Sequence, residues 1–267
     1  MISAARLKYY RLLKHKKYRK IERKFLIEGI NLCEAALRSG AEVEILLFSE
    51  EVFGQVEMVT LRKLAEARKI PVDLLPPREI KRLSEVVTPQ GVVGVVKMPA
   101  PMEKAFWEAR PEKVLILDQI SEPGNMGTIL RTAEWFGIPA VVCSSGSVDV
   151  YSGKVLRSTA GAFFYLRYLL QNVNLEPFLR RLKKAGYRLY AADTRAPRAY
   201  FQVLWETPFA LVVGNERRGV TELVESFSPE RVAIPGKGKS DSLNAAVAAA
   251  ILLAHVCTER PGADRKE

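Results

Sequence analysis

The sequence predicts an α/β protein in two parts: a small N-terminal α/β domain, then a larger α/β domain built on a mostly parallel sheet. Three observations carry this. Short Val/Ile/Leu-rich runs alternate with amphipathic segments along nearly the whole chain, which is the pattern of strands and helices in a sheet covered on both faces. A stretch with three prolines, "PAPMEKAFWEARPEK", interrupts the alternation and reads as a linker around residues 99–112. The 267 residues and 48% apolar content supply enough chain and enough core for two domains. The expected boundaries are therefore 1–98, a linker at 99–112, and 113–267.

In order along the first part, "FLIEGINLCEAALRSG" reads as a turn and an amphipathic helix closed by Gly40. "VEILLFS" reads as a buried strand, "LRKLAEARK" as a helix and "PVDLLP" as a short strand. "PREIKRLSEV" is a second helix and "GVVGVVKM" a strand. In the second part, strands are expected at "VLILDQI", "AVVCSS", "YLRYLL", "YRLYAAD", "FALVVG" and "RVAIP". Helices are expected between them at 125–136, 152–160, 175–185, 219–226 and 241–257.

Composition narrows the function classes. No apolar run approaches the roughly 18 residues of a membrane span, and the basic N-terminus lacks the apolar core of a secretory signal. The expectation is a cytoplasmic protein without a membrane partner. Cys33, Cys143 and Cys257 are far apart and read as core thiols of a reducing compartment. The two histidines, His15 and His255, belong to no ligand cluster, so no metal site is expected. His15 falls within the basic segment, and His255 lies late on an apolar helix as a core or interface residue.

The net charge of +11 is unevenly placed: residues 1–24 hold ten Lys/Arg against Glu22 alone. Lys14, Lys16, Lys17, Arg19, Arg23 and Lys24 are the candidate RNA contacts in this arm, with Tyr9, Tyr10 and Tyr18 interleaved. Cations release counterions from phosphates and aromatic faces stack on bases, so the composition fits a polyanion. The competing reading is a solvated basic helix. The charged tail "TERPGADRKE" closes the chain.

Ligands of parallel sheets sit at the carboxyl ends of strands. Three loops qualify: "SEPGNMGTILRTAEWFG", "GNERRGV" and "GKGKSDSLN". The last contains Gly238-Lys239-Ser240 between a strand and a helix, which raises the question of a phosphate-binding P-loop. That motif needs a glycine five residues earlier, where Ala233 stands. The loop also opens too near the end of the chain to be followed by the metal-binding carboxylate such proteins use. None of the loops is GxGxxG, so an ordinary dinucleotide site is not supported.

Taken together, the three loops resemble the three motifs of the SpoU family of RNA ribose 2′-O-methyltransferases. The first has Asn125, Gly127, Arg131 and Gly137 at the family spacing; the second has Gly214, Glu216 and Gly219; the third has Ile234, Pro235, Gly238, Ser242, Leu243 and Asn244. "RSTAGAFFYL" resembles the segment between the first two motifs. Upstream, "RKFLIEG" and "TPQGVVGVV" resemble the ribosomal-protein-like RNA-binding domain of many members. Gly236 and Ala245–Ala246 depart from the family's usual methionine and valine–alanine.

The resemblance implies a trefoil-knot methyltransferase domain, a homodimer and S-adenosylmethionine as methyl donor. It implies ribosomal RNA as substrate, with transfer RNA or a non-catalytic RNA-binding role as alternatives. It places the cofactor against Gly214, Ile234, Gly238 and Leu243, and the chemistry at Asn125, Arg131, Glu216, Ser242 and Asn244. Each of these also has a local reading. Asn125 suits an N-cap, and capping explains one of Ser242 and Asn244. Glu216 suits a loop carboxylate paired with Arg217 or Arg218. Arg131 projects away from the stripe Met126, Ile129, Leu130, Ala133 and Phe136, and its local reading is a surface arginine paired with a carboxylate. The resemblance implies either the base or a fork on phosphate or a developing oxyanion, and the fork is preferred because a guanidinium is a poor free base. Lys237 and Lys239 read equally as RNA contacts and as solvated charges. Ser158 and Thr159 lack His/Asp partners, and methyl transfer needs no protein nucleophile.

Overall fold

The computed structural model describes residues 2–258; residues 259–267, most of the charged tail, lie outside the described residues. The chain divides into two compact units, 1–101 with 149–165, and 102–148 with 166–267. The break between 101 and 102 falls within the stretch read as a linker at 99–112, and residues 149–165 group with the first unit.

The first unit carries α1 (Ala4–Leu12), α2 (Lys16–Glu22), β1 (Lys24–Glu28), α3 (Ile30–Arg38), β2 (Val43–Ser49), α4 (Val59–Ala67), β3 (Val72–Leu75), α5 (Pro77–Leu83) and β4 (Val92–Lys97). Its sheet has the order β1-β4-β2-β3, with β4 antiparallel to both neighbours and β2 parallel to β3. Residues read as a turn, "FLIE", are the strand β1, in which Phe25 and Ile27 alternate inward. Five residues running directly into α3 offered too short a period to separate strand from helix.

The basic arm is tied to this sheet. Tyr10 is wholly buried and its hydroxyl donates to Glu44 Oε1 at 2.8 Å; burial pushes the phenol up to about 12. Arg6 and Lys24 also pair with Glu44, and Arg11 with Glu79. Arg19 is buried: it donates to the carbonyls of Leu13 and Lys14 at 2.9 and 2.6 Å and to Asp149 Oδ2 at 2.7 Å. Through Asp149 and α8 (Gly153–Ser158), residues 149–165 join this unit, with Tyr151 and Phe163 packed on Phe25 at 4.9 and 5.9 Å.

The second unit continues with α6 (Glu103–Ala109), β5 (Lys113–Leu117), α7 (Pro123–Trp135), β6 (Ala140–Ser144), β7 (Tyr168–Val173), α9 (Leu175–Lys184), β8 (Arg188–Ala192), β9 (Phe209–Val213), α10 (Glu222–Ser226), β10 (Glu230–Val232) and α11 (Ala245–Thr258). The six strands are parallel in the order β10-β8-β9-β5-β6-β7. β5, β6 and β9 are buried on both faces, so they read as continuous apolar runs. The stretch read as linker contains α6, whose Phe106 is fully buried beside Phe178. β7 runs three residues later than "YLRYLL", because Asn172, at φ 57°, makes a bulge that carries the strand through polar residues. From β10 at the sheet edge the chain returns to set α11 against α7 and β9.

The Arg19–Asp149 pair has side chains only 6% and 10% exposed. Removing one partner of a buried pair leaves an uncompensated charge, so Asp149→Ala is expected to cost about 3 kcal/mol in urea unfolding. Glu34→Ala, which removes a solvent-exposed i,i+4 partner of Arg38, is expected to cost less than about 0.5 kcal/mol. Equal losses would contradict the assignment of the buried pair as the stronger tie.

Candidate functional site: three loops at the carboxyl edge of the parallel sheet

The loops after β5 and β9 come from neighbouring strands, and main-chain and side-chain hydrogen bonds clasp them together. Asp118, buried at the end of β5, accepts the Thr221 N–H on Oδ2 at 2.7 Å. The Asn215 side-chain amide donates to the Gln119 carbonyl at 3.1 Å and to Ser121 Oγ at 3.4 Å. Its Oδ1 accepts the Arg217 N–H at 3.0 Å, an Asx-turn that shapes the loop locally. The Gly219 N–H closes the turn on the Asn215 carbonyl at 2.9 Å. Gly214 is required here: a Cβ would lie 2.2–2.4 Å from main-chain atoms of Gly219 and Val220.

The third loop joins through Asn244. It caps α11, its Oδ1 accepting the N–H groups of Ala246 and Val247 at 2.9 and 3.3 Å. With Oδ1 committed to donors, the amide nitrogen must point the other way. It donates to Asn125 Oδ1 at 2.9 Å, and the Asn125 amide in turn donates to Glu216 Oε1. One directed relay, Asn244 to Asn125 to Glu216, therefore links all three loops. Asn125 sits in the first turn of α7, whose N-cap is Glu122, so its side chain serves the relay and not the cap. Glu216 bonds to Asn125, and among the described residues it forms no ion pair with Arg217 or Arg218.

The other candidates divide. Arg131 lies on the exposed side of α7, opposite buried Met126, Ile129, Leu130 and Ala133; Phe136 is only half-buried. Ser242 and Leu243 are exposed just before the Asn244 cap, and Gly238 is exposed in the loop. Ile234 is half-buried and Gly214 buried. Among the described residues, no hydrogen bond engages the main chain between Pro235 and Leu243. Free main-chain donors and acceptors beside the exposed Leu243 side chain suit a nucleoside, which offers a polar edge and apolar faces.

In the arm, Lys16, Lys17 and Arg23 are exposed. Arg19 is buried, which corrects its expectation as an RNA contact: its guanidinium is consumed by two carbonyls and Asp149. Lys14 donates to the Ser84 carbonyl at 2.6 Å and Lys24 pairs with Glu44, so both are partly withdrawn. Tyr10 is buried and offers no stacking face. The sequence reading missed Asp118 and Asn215. The only signal for them was position, at the strand end and next to Gly214, since neither stands in a pattern that spacing identifies.

Residues 112–254 match the SpoU rRNA Methylase family and residues 4–94 the MRM3-like substrate binding domain. The chain is 34% identical over 251 residues to the 23S rRNA guanosine 2′-O-methyltransferase RlmP of Bacillus subtilis, covering 94% of this chain and 95% of that protein. It is 30% identical to the mitochondrial rRNA methyltransferase 3 of Mus musculus, covering 91% of this chain and 69% of that one. Among solved structures, the SpoU methyltransferase AviRb of Streptomyces viridochromogenes in complex with AdoMet superposes with a TM-score of 0.84 at 26% identity, covering 96% and 97% of the two chains. A putative RNA methyltransferase of the TrmH family from Porphyromonas gingivalis superposes with a TM-score of 0.81 at 32% identity, covering 95% and 97%.

Because Asn244 both caps α11 and feeds the relay, substitutions separate the two roles. Asn244→Ala is expected to lower stability by about 1 kcal/mol through the lost cap, whereas Asn244→Asp keeps the acceptor and should stay within about 0.5 kcal/mol of wild type. Urea denaturation of both variants is the check, and equal destabilisation would contradict the capping role.

Proposed function

This chain belongs to the SpoU rRNA Methylase family, and we propose that it transfers a methyl group from S-adenosylmethionine to a ribose 2′-hydroxyl of ribosomal RNA. The observation that carries the reading is the relay Asn244–Asn125–Glu216, which draws the three motif loops into one site. The names and cofactor of the similar proteins support the substrate and the methyl donor.

The cofactor supplies an electrophilic methyl on a sulfonium: the C–S bond breaks as the bond from the ribose 2′-oxygen to carbon forms, and the demethylated thioether leaves. The chain then has three tasks. Main-chain groups at Gly214, Ile234, Gly238 and Leu243 hold the cofactor, with glycine allowing close approach. Glu216 has one oxygen fixed by Asn125, and its other oxygen is the acceptor toward which the 2′-hydroxyl proton moves. Arg131, on the same helix as Asn125, lays its planar fork on the RNA phosphate or on the developing oxyanion. Ser242, next to Leu243, orients the ribose. Such positioning supplies most of what an in-line displacement needs.

The first unit selects the RNA, with the exposed Lys16, Lys17 and Arg23 facing phosphate. The domain assignment 1–98, 99–112 and 113–267 goes with this division of labour. A homodimer is part of the same proposal. It is supported by the apolar α11 with its exposed Val247 and by Trp135, which is 80% exposed on α7. The knot implied by the family resemblance is supported by the return of the chain from β10 to α11. No described helix is long and apolar enough to cross a membrane, and a cytoplasmic site of action accompanies a ribosomal RNA substrate.

Calorimetry is expected to show S-adenosylmethionine binding that ATP does not displace; preferential ATP binding would overturn the cofactor assignment. Arg131→Ala should bind the cofactor normally and lose at least about a hundredfold in single-turnover methylation, on the order of 3 kcal/mol. Arg131→Lys should also be badly impaired, since it keeps the charge without the fork. A near-wild-type rate for Arg131→Ala would remove it from the chemistry.

A further inference from the structure

Most arginines among the described residues are committed. Among the described residues they pair with carboxylates, as Arg188 does with Glu206 and Arg198 with Glu230. Others donate to carbonyls, as Arg68 does, or lie over rings, as Arg181 does over Trp107. Among the described residues, four exposed arginines hold no side-chain hydrogen bond, ion pair or ring contact: Arg110, Arg131, Arg217 and Arg218. Three of the four, Arg131, Arg217 and Arg218, belong to the loops and helix that build the candidate site. A surface ion pair is worth little, so a single unpaired arginine is ordinary; the feature that points to a ligand is the gathering of three of the four at one site.

The turn that bears two of them is closed by hydrogen bonds on both sides. Gly219 closes it onto Asn215, Asn215 clasps the Gln119 carbonyl and the Arg217 N–H, and Thr221 is held by buried Asp118. Glu216, Arg217 and Arg218 are the three successive residues between Asn215 and Gly219. Glu216 is directed to Asn125, while both arginines stand in solvent. A preorganised turn loses little entropy on binding, and a guanidinium fork matches a phosphate bidentately.

We propose that Arg217 and Arg218 form a phosphodiester-binding clamp on the second loop, gripping the RNA backbone beside the ribose that Glu216 addresses. The clamp rests on the reading that this chain methylates RNA. It assigns the two arginines to substrate binding and leaves Arg131 to the reacting centre.

The test compares wild type, Arg217→Ala/Arg218→Ala and Arg217→Lys/Arg218→Lys. The probe is protein-free ribosomal RNA from cells lacking the protein, with binding measured between about 50 and 200 mM salt. The double alanine variant should bind this RNA at least about tenfold more weakly, with the slope of log affinity against log salt reduced by about 1 to 2. The double lysine variant should keep most of the slope. S-adenosylmethionine affinity, read by calorimetry, should equal wild type in all three, which reports an intact fold. Unchanged RNA affinity would overturn the clamp, and so would weakened affinity with an unchanged salt slope. If wild type itself neither binds nor methylates the RNA while still binding the cofactor, the functional reading has failed and the clamp with it. That outcome is distinct from a failure confined to the variants.

Discussion

The site depends on one constraint: the amide of Asn244 can point only one way. Its oxygen is bound to the first N–H groups of α11, so its nitrogen faces Asn125, and the Asn125 nitrogen then faces Glu216. A helix cap thereby fixes the orientation of a carboxylate on another loop. Amides serve here because each carries a donor and an acceptor at opposite corners. Replacing either with a carboxylate would break the direction of the relay. The relay is possible only because the chain returns from the sheet edge at β10 to lay α11 on α7.

The same economy governs charge. The N-terminal arm looks from its composition like a loose polycation, yet much of it is structural. Arg6, Arg11, Arg19 and Lys24 have carboxylate partners and Lys14 a carbonyl. Among the described residues of the arm, Lys8, Lys16, Lys17 and Lys20 stand exposed without a side-chain partner, while exposed Arg23 donates to the Pro99 carbonyl; in the second unit Arg131, Arg217 and Arg218 stand in solvent. Net charge describes attraction to a polyanion in general; the unpaired residues describe where an ordered phosphate can be held.

Much was legible in the sequence. β5, β6 and β9 announced themselves as apolar runs because burial on both faces leaves no room for alternation. The three loops were identified by glycines and polar residues at strand ends, and Asn125, Glu216 and Asn244 do meet. What failed to show has physical causes. β1 was hidden because its alternating residues run straight into α3. α6 was hidden because prolines on both sides masked a short helix anchored by Phe106. Arg19 was misread because no local pattern reveals that Asp149, 130 residues later, is its partner. Asp118 and Asn215 act through single long-range contacts, which leave no periodicity.

The central claim is that the joined loops methylate a ribose of ribosomal RNA. Its most direct test is a map of ribose methylation across ribosomal RNA from cells with and without the protein. The account predicts one 2′-O-methyl nucleotide that disappears with the protein and returns when purified protein and S-adenosylmethionine are supplied to the isolated RNA. An unchanged ribose-methylation map, or a lost mark that proves to lie on a base, would contradict it.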